Sequence, residues 1–153
     1  MIESTLSYLT KENPPEMFER CLYFNTNTLV RKLNSQWEQA FARIDLTPPQ
    51  GYLLRVVLDR PGLSQQEVAG ELCLEKSTIT RFLTVLEKKG FVKRSVVDGN
   101  ARQKAIFPQP RAVAMKEELE ALGDELYAGV CAALGEDNVK SFVAMSRQMA
   151  QSL

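Results

Sequence analysis

The chain has 153 residues, 44% apolar and 25% charged, with 19 basic and 19 acidic side chains, three cysteines and no histidine. That size suits one well-cored domain or two small lobes sharing a core, and the lack of histidine removes Ser–His and Cys–His nucleophile pairs and imidazole metal ligands. Cys21, Cys73 and Cys131 are odd in number and far apart, so they suggest neither a disulfide framework nor a structural zinc site and favour a reducing, cytoplasmic compartment.

Asn13-Pro14-Pro15-Glu16 and Thr47-Pro48-Pro49-Gln50 are near-identical helix starts: a capping residue, proline at the first helical position, and Glu or Gln at the third. Together they frame a helix from about Pro14 to Ile44, with Cys21 or Leu22, Leu29, Leu33, Trp37, Phe41 and Ile44 recurring every three or four positions and Thr26 filling one gap. Such a helix is about 45 Å long, enough to act as a strut between subunits. A second helix runs from Pro48 to about Asp59, where Pro61 and Gly62 stop it. Ser64-Gln65-Gln66-Glu67 is a third capping box and opens a short helix to about Leu72.

After a turn at Cys73-Leu74-Glu75, a helix spans about Lys76 to Lys89 and ends at Gly90. Ile79, Phe82, Leu83 and Leu86 form its apolar stripe, while Lys76, Ser77, Thr80, Arg81 and Thr84 fall largely opposite and Thr78 lies near the border. Phe91–Val97 and Gln103–Phe107 read as two strands around the turn Asp98-Gly99-Asn100-Ala101. Pro108 and Pro110 then introduce a helix from about Arg111 to Leu134, with Val113, Leu119, Leu122, Leu126 and Val130 on one side. A last helix covers about Glu136 to Gln151 and carries Val139, Phe142, Val143, Met145 and Met149. The fold class expected is mainly α with a small β-wing.

The neutral total hides a segregated distribution. Lys76–Lys104 holds eight basic and two acidic groups, a net of +6, whereas residues 1–75 and 105–153 each carry −3. A short helix, a tight turn and a second helix with a polar, basic outer face make a helix-turn-helix. Ser77, Thr78 and Thr80 are small enough to let the backbone approach DNA, and Arg81 has the fork that pairs bidentately with guanine. Lys93, Arg94, Arg102 and Lys104 lie on the following hairpin, a wing whose tip arginine is placed for an adjacent minor groove. Ser64, Gln65 and Gln66, with the amides of their helix N-terminus, can fix register on phosphates. The expected partner is a double-stranded DNA operator.

The stretch STITRFLTVLEKKGFVKRSVVDGNARQKAIF closely resembles the recognition helix and wing of MarR-family transcriptional regulators. The resemblance rests on the S-T-x-T-R start, the L-E-K-K-G-F-V end and the D-x-x-x-R element from Asp98 to Arg102; LTPPQGYLL resembles the start of that family's second helix. It covers the full length in element order and is specific from about Leu46 to Phe107. It implies a winged helix-turn-helix lobe at 46–108 and a helical dimerisation region built from 1–45 and 109–153. It also implies a homodimer on a pseudo-palindromic operator, most often a repressor. By the same resemblance Ser77, Thr78 and Arg81 contact bases or phosphates, Arg102 enters the minor groove and Asp98 helps hold it.

MarR-like proteins commonly respond to small aromatic or phenolic ligands, for which Trp37 and Tyr52 are candidates; both also read as core or interface aromatics. Cys21 is a candidate for the thiol of redox-sensing relatives, although Arg20 beside it does not share its helical face. No GxGxxG or GxxxxGK[ST] loop appears, so no cofactor and no enzymatic activity are expected. Residues 1–16 lack a basic n-region and an apolar core, and no apolar run approaches the roughly 20 residues of a membrane helix. A winged-helix protein-interaction module without an operator is the alternative in a different class.

Overall fold

The computed structural model describes residues 15–97 and 100–153, without the side chains of residue 97 and residues 100–103. The chain forms two compact units, the first ending at Gln39 and the second spanning Ala40–Leu153. Among its described residues the first contains a 3-10 turn, Glu16–Phe18, followed by α1 (Leu22–Ala42), whose last three residues belong to the second unit. The single helix expected from Pro14 is therefore interrupted. Cys21 starts α1 afresh: its Sγ accepts the Phe24 N–H at 3.4 Å. The Asn25 side-chain amide donates to the carbonyls of Phe18 and Cys21, both at 2.8 Å. The Phe18 and Phe24 rings stack at 4.5 Å across the break. These local bonds satisfy groups that a continuous helix would otherwise pair. At 21 residues, α1 is about 31 Å long, and Asn13 and Pro14 of the expected cap lie outside the described residues.

The second unit contains α2 (Pro48–Asp59), β1 (Leu63–Ser64), α3 (Gln65–Leu72), α4 (Lys76–Lys88), β2 (Val92–Val97), β3 (Asn100–Pro108), α5 (Pro110–Leu134) and α6 (Glu136–Ser152). Between α1 and α2 the chain turns through Asp45 in the left-handed region, φ 57°. Thr47 caps α2, and the Gln50 Oε1 accepts the Thr47 N–H at 3.1 Å, so the second capping box forms where the sequence places it. α2 is the spine of the unit. Its Leu53, Leu54 and Val57 are fully buried, and it packs against α3, α4, β3 and α5. Each such side chain contributes about 1.5–3 kcal/mol by leaving water. Ile79, Leu83 and Leu86 of α4, Phe91 and Ile106 complete the core around it.

The sheet has three antiparallel strands in the order β1-β3-β2. β1 is two residues long, pairing Leu63 with Ile106 and Ser64 with Ala105, too short to register as a strand in the sequence. β3 is longer than expected and reaches Pro108, which pairs with Val92 at the strand end, where a missing N–H is tolerated. Asp98 and Gly99 of the expected turn lie outside the described residues.

Two apolar faces differ from the sequence reading. On α5, Val113 is exposed and Ala112 is fully buried. Ala112, Leu119, Leu122 and Leu126 follow spacings of seven, three and four, which keep one helical face; Val113 to Leu119 is six and does not. On α6 only Val139 is buried, while Phe142, Val143 and Met145 are exposed in the single chain.

Candidate nucleic-acid interface

The basic segment Lys76–Lys104 becomes α4 and the β2–β3 hairpin, joined by three residues, with Gly90 at φ +74°. α3 precedes it as the first helix of the helix-turn-helix. Its start is a complete capping box: Glu67 N–H donates to the Ser64 hydroxyl at 3.3 Å, and Ser64 N–H donates to the Glu67 carboxylate at 2.7 Å. The Ser64 backbone N–H, and after it the Ser64 side chain, bonded to the carboxylate hold Glu67 below the ordinary carboxylate range. α3 ends on Cys73 in the left-handed conformation, φ 52°, with the Leu74 N–H returning to the Ala69 carbonyl at 3.0 Å. That is the glycine-type helix stop built with a cysteine.

α4 sorts its side chains cleanly. Ile79, Leu83 and Leu86 are fully buried, while Ser77, Arg81, Thr84 and Lys88 are exposed. The exposed four recur at spacings of four, three and four, so they form one continuous stripe opposite the core. Thr78 is half-buried at the border. Thr80 is exposed, but its hydroxyl donates to the Lys76 carbonyl and accepts from the Gln65 side-chain amide, each at 2.9 Å. Gln65 and Thr80 thus tie α3 to α4, leaving Gln66, also exposed, as the outward-facing glutamine of the pair.

On the wing, Lys93 and Lys104 are exposed. Arg94 is not a free cation. It donates from Nε to the Glu87 Oε1 at 2.9 Å, from its backbone N–H to the same oxygen at 3.1 Å, and from a terminal nitrogen to Oε2. The guanidinium beside it holds Glu87 below the ordinary carboxylate range despite partial desolvation. Arg102 lies in β3 between the pairs Val97↔Asn100 and Val96↔Lys104, where the register is irregular. Its side chain, and Asp98, lie outside what is described.

Other contacts brace the base of the helix and hairpin. The Lys89 ammonium donates to the Asp45 carbonyl at 2.5 Å and to its carboxylate at 2.9 Å. Arg111, at the start of α5, stacks over the Phe91 ring at 4.3 Å and donates to the Lys89 carbonyl. Sequence spacing does not disclose these pairs: Glu87 and Arg94 are seven residues apart across a glycine turn, Asp45 and Lys89 forty-four.

The remaining candidates fall elsewhere. Tyr52, on α2, is 40% exposed, its ring 5.9 Å from that of Phe41. Trp37 is half-buried on α1. Cys21 is half-buried, with its sulfur engaged at the start of α1. Among the described residues no group of three or more His, Cys, Asp or Glu is placed to hold a metal ion, and no helix is long and apolar enough to cross a membrane.

Comparison with known proteins agrees with this geometry. The profile described as MarR family matches residues 46–104. The HTH-type transcriptional regulator TtmR of Methylorubrum extorquens is 27% identical over 113 residues, 74% of this chain; the match spans 58% of that relative's length. The transcriptional regulator HosA of Escherichia coli O157:H7 is 22% identical over 121 residues, covering 79% of this chain and 88% of HosA. The solved structure of the transcriptional repressor CouR bound to a 23-mer DNA duplex shares the fold, with a TM-score of 0.83 and 20% identity over 92% of this chain and 99% of that one. Residues 46–104 thus match the MarR family of transcriptional regulators, and the chain shares the winged helix-turn-helix fold of its solved members.

Proposed function

We propose that this protein is a sequence-specific, ligand-responsive repressor that binds a pseudo-palindromic DNA operator as a homodimer. The observation that carries the reading is the exposed stripe Ser77–Arg81–Thr84–Lys88, set directly opposite the buried face of α4. In this proposal α4 lies in the major groove, where Arg81 pairs with a base and Ser77 and Thr78 contact bases or phosphates. Lys76, Lys93 and Lys104 engage the backbone, with Ser64, Gln66 and the N-terminal amides of α3. Arg102 enters the neighbouring minor groove, held by Asp98. Gln65 and Thr80 act through their mutual hydrogen bond, which fixes α3 on α4.

The homodimer in this reading draws on residues 1–45 and 109–153. Its support is the exposed apolar row Phe142, Val143 and Met145 on α6, an unusual surface to leave in water. The effector is a small aromatic or phenolic molecule, and Trp37 and Tyr52 are tested one at a time by substitution against a panel of aromatic acids, read as a shift in melting temperature. The sulfur-to-amide bond of Cys21 favours a capping role over a sensory one.

The deciding experiment is fluorescence anisotropy with genomic fragments at several salt concentrations. A preferred site is expected, with half-sites about 10 bp apart and affinity falling steeply with salt. Arg81→Ala should relax sequence preference, and Arg102→Ala should weaken binding more evenly. No preferred fragment at moderate salt would overturn the reading.

A further inference from the structure

The contact between Glu87 and Arg94 joins the two parts of the interface that the proposed function needs to act together. Glu87 stands in the last turn of α4, and Arg94 is the third residue of β2. Between them the chain passes through Lys89, Gly90 and Phe91, with Gly90 at φ +74°. A glycine in that conformation gives the connection little stiffness of its own. One carboxylate accepts three donors from one residue: the Arg94 backbone N–H, its Nε and a terminal guanidinium nitrogen. β2 is an edge strand of the sheet, so Glu87 also caps a backbone donor of the wing's edge. The Glu87 and Arg94 side chains are only 28% and 21% exposed. Charge-assisted bonds made at that depth, and made bidentately, fix direction as well as distance. The exposed Lys140–Glu136 pair, made within α6, has no such shelter and joins no second element.

We propose that Glu87 is a positioning residue, its carboxylate clamping Arg94 so that the wing stands at the angle to α4 that lets helix and wing engage adjacent grooves of one duplex. This rests on the DNA-binding reading above. It gives Arg94 a different role from Lys93 and Lys104, which are exposed on the same hairpin and make no hydrogen bond or ion pair to Glu87. Arg94 contributes by geometry and makes no phosphate contact of its own.

The test compares wild type with Glu87→Gln, Arg94→Ala and the double variant, on an operator duplex selected with the wild-type protein. Each single substitution is expected to weaken operator affinity about tenfold, the scale of one charge-assisted bond, and the double variant to be no worse than the weaker single. The slope of log affinity against log salt should stay as in wild type for Arg94→Ala. In hydroxyl-radical footprints, protection at the outer, wing-facing positions should fade while protection at the helix-facing positions persists. A slope shallower by about 0.9, the signature of one lost phosphate contact, would make Arg94 a direct contact and overturn the proposal. So would additive losses, or a footprint that fades evenly. A second measurement needs no DNA: hydrogen exchange of the Arg94 amide should speed up in Glu87→Ala, and unchanged protection sinks the clamp. Wild-type protein without a preferred duplex, but with an amide that Glu87→Ala deprotects, would leave the clamp standing as a structural contact and remove the DNA-binding reading instead.

Discussion

Gly51→Ala puts one methyl group against the buried ring of Phe41. Gly51 is the fourth residue of α2, and a Cβ there would lie 2.1 Å from Cε1 and 2.8 Å from Cδ1 of Phe41. Carbon atoms prefer about 3.5 Å or more, so the ring or the helix must move by about 1.4 Å. Phe41 has little freedom to do so, being 2% exposed and packed against Tyr52. Overpacking of this kind costs about 1–3 kcal/mol, and the upper part of that range applies because the obstructing atoms belong to a buried ring. Replacing glycine by alanine within a helix returns about 1 kcal/mol. The expected net loss is about 1–2 kcal/mol, read as a lower urea midpoint at unchanged slope. Phe41→Leu should recover part of it, so the double variant is more stable than the two single losses add up to. Equal or greater stability for Gly51→Ala alone would refute the reasoning, since the helix term would then be acting unopposed.

Cys73 occupies the left-handed position that ends α3, a conformation costing a residue with a Cβ about 1–2 kcal/mol. Cys73→Gly should therefore stabilise the fold by a few tenths to about 1 kcal/mol, after the larger chain entropy of unfolded glycine is subtracted; a lower melting temperature would contradict this. Glu87 is held below its ordinary range chiefly by the Arg94 side-chain bonds. Its stabilisation is complete above the unfolded carboxylate value and lost as pH falls through the lower folded value. The stability gap between wild type and Glu87→Gln should accordingly narrow on acidification below the ordinary carboxylate range, and a gap constant down to the acid transition counts against the clamp. Lys88→Ala and Lys93→Ala should each reduce the salt slope of operator binding by up to about 0.9, measured by the same anisotropy titrations, whereas Lys89→Ala should leave it unchanged because Lys89 is committed to Asp45.

Legibility followed the range of the interactions. The capping boxes at Thr47/Gln50 and Ser64/Glu67 involve groups three residues apart, and both were readable as helix starts with correct boundaries. The α4 core stripe was readable for the same reason, with Ile79, Leu83 and Leu86 buried as expected. The break before α1 was not, because apolar periodicity runs through residues 19–21 while the side chains that break the helix, Cys21 and Asn25, have no distinctive pattern. Val113 was read onto the apolar side of α5, although the heptad spacing selects Ala112. The two-residue β1 exists only because β3 lies beside it. In the candidate interface, residue types and their exposure on α4 were legible, but which cations are paired is a three-dimensional fact. Arg94 counted as one more positive charge until Glu87 was seen to enclose it.

That distinction separates two quantities that a sequence count merges. Long-range attraction to DNA depends on net charge, and the Glu87–Arg94 pair leaves the +6 of Lys76–Lys104 unaltered because Glu87 is already subtracted in it. Among the described residues, Lys89, paired with Asp45 from outside the segment, reduces the local excess to +5. Short-range contact depends instead on cations with no protein partner. Among the described side chains of Lys76–Lys104, where Lys89 and Arg94 are paired, the cations with no ion pair or side-chain hydrogen bond are Lys76, Arg81, Lys88, Lys93 and Lys104. Association rate and equilibrium affinity should therefore respond to different residues. Glu87→Gln adds one net positive charge while releasing the wing, so it is expected to bind operator DNA faster at low salt yet hold it less tightly, the whole loss appearing in dissociation. Stopped-flow association and dissociation rates decide this; slower association with unchanged dissociation would mean that Glu87 acts through the field and not through the position of the wing.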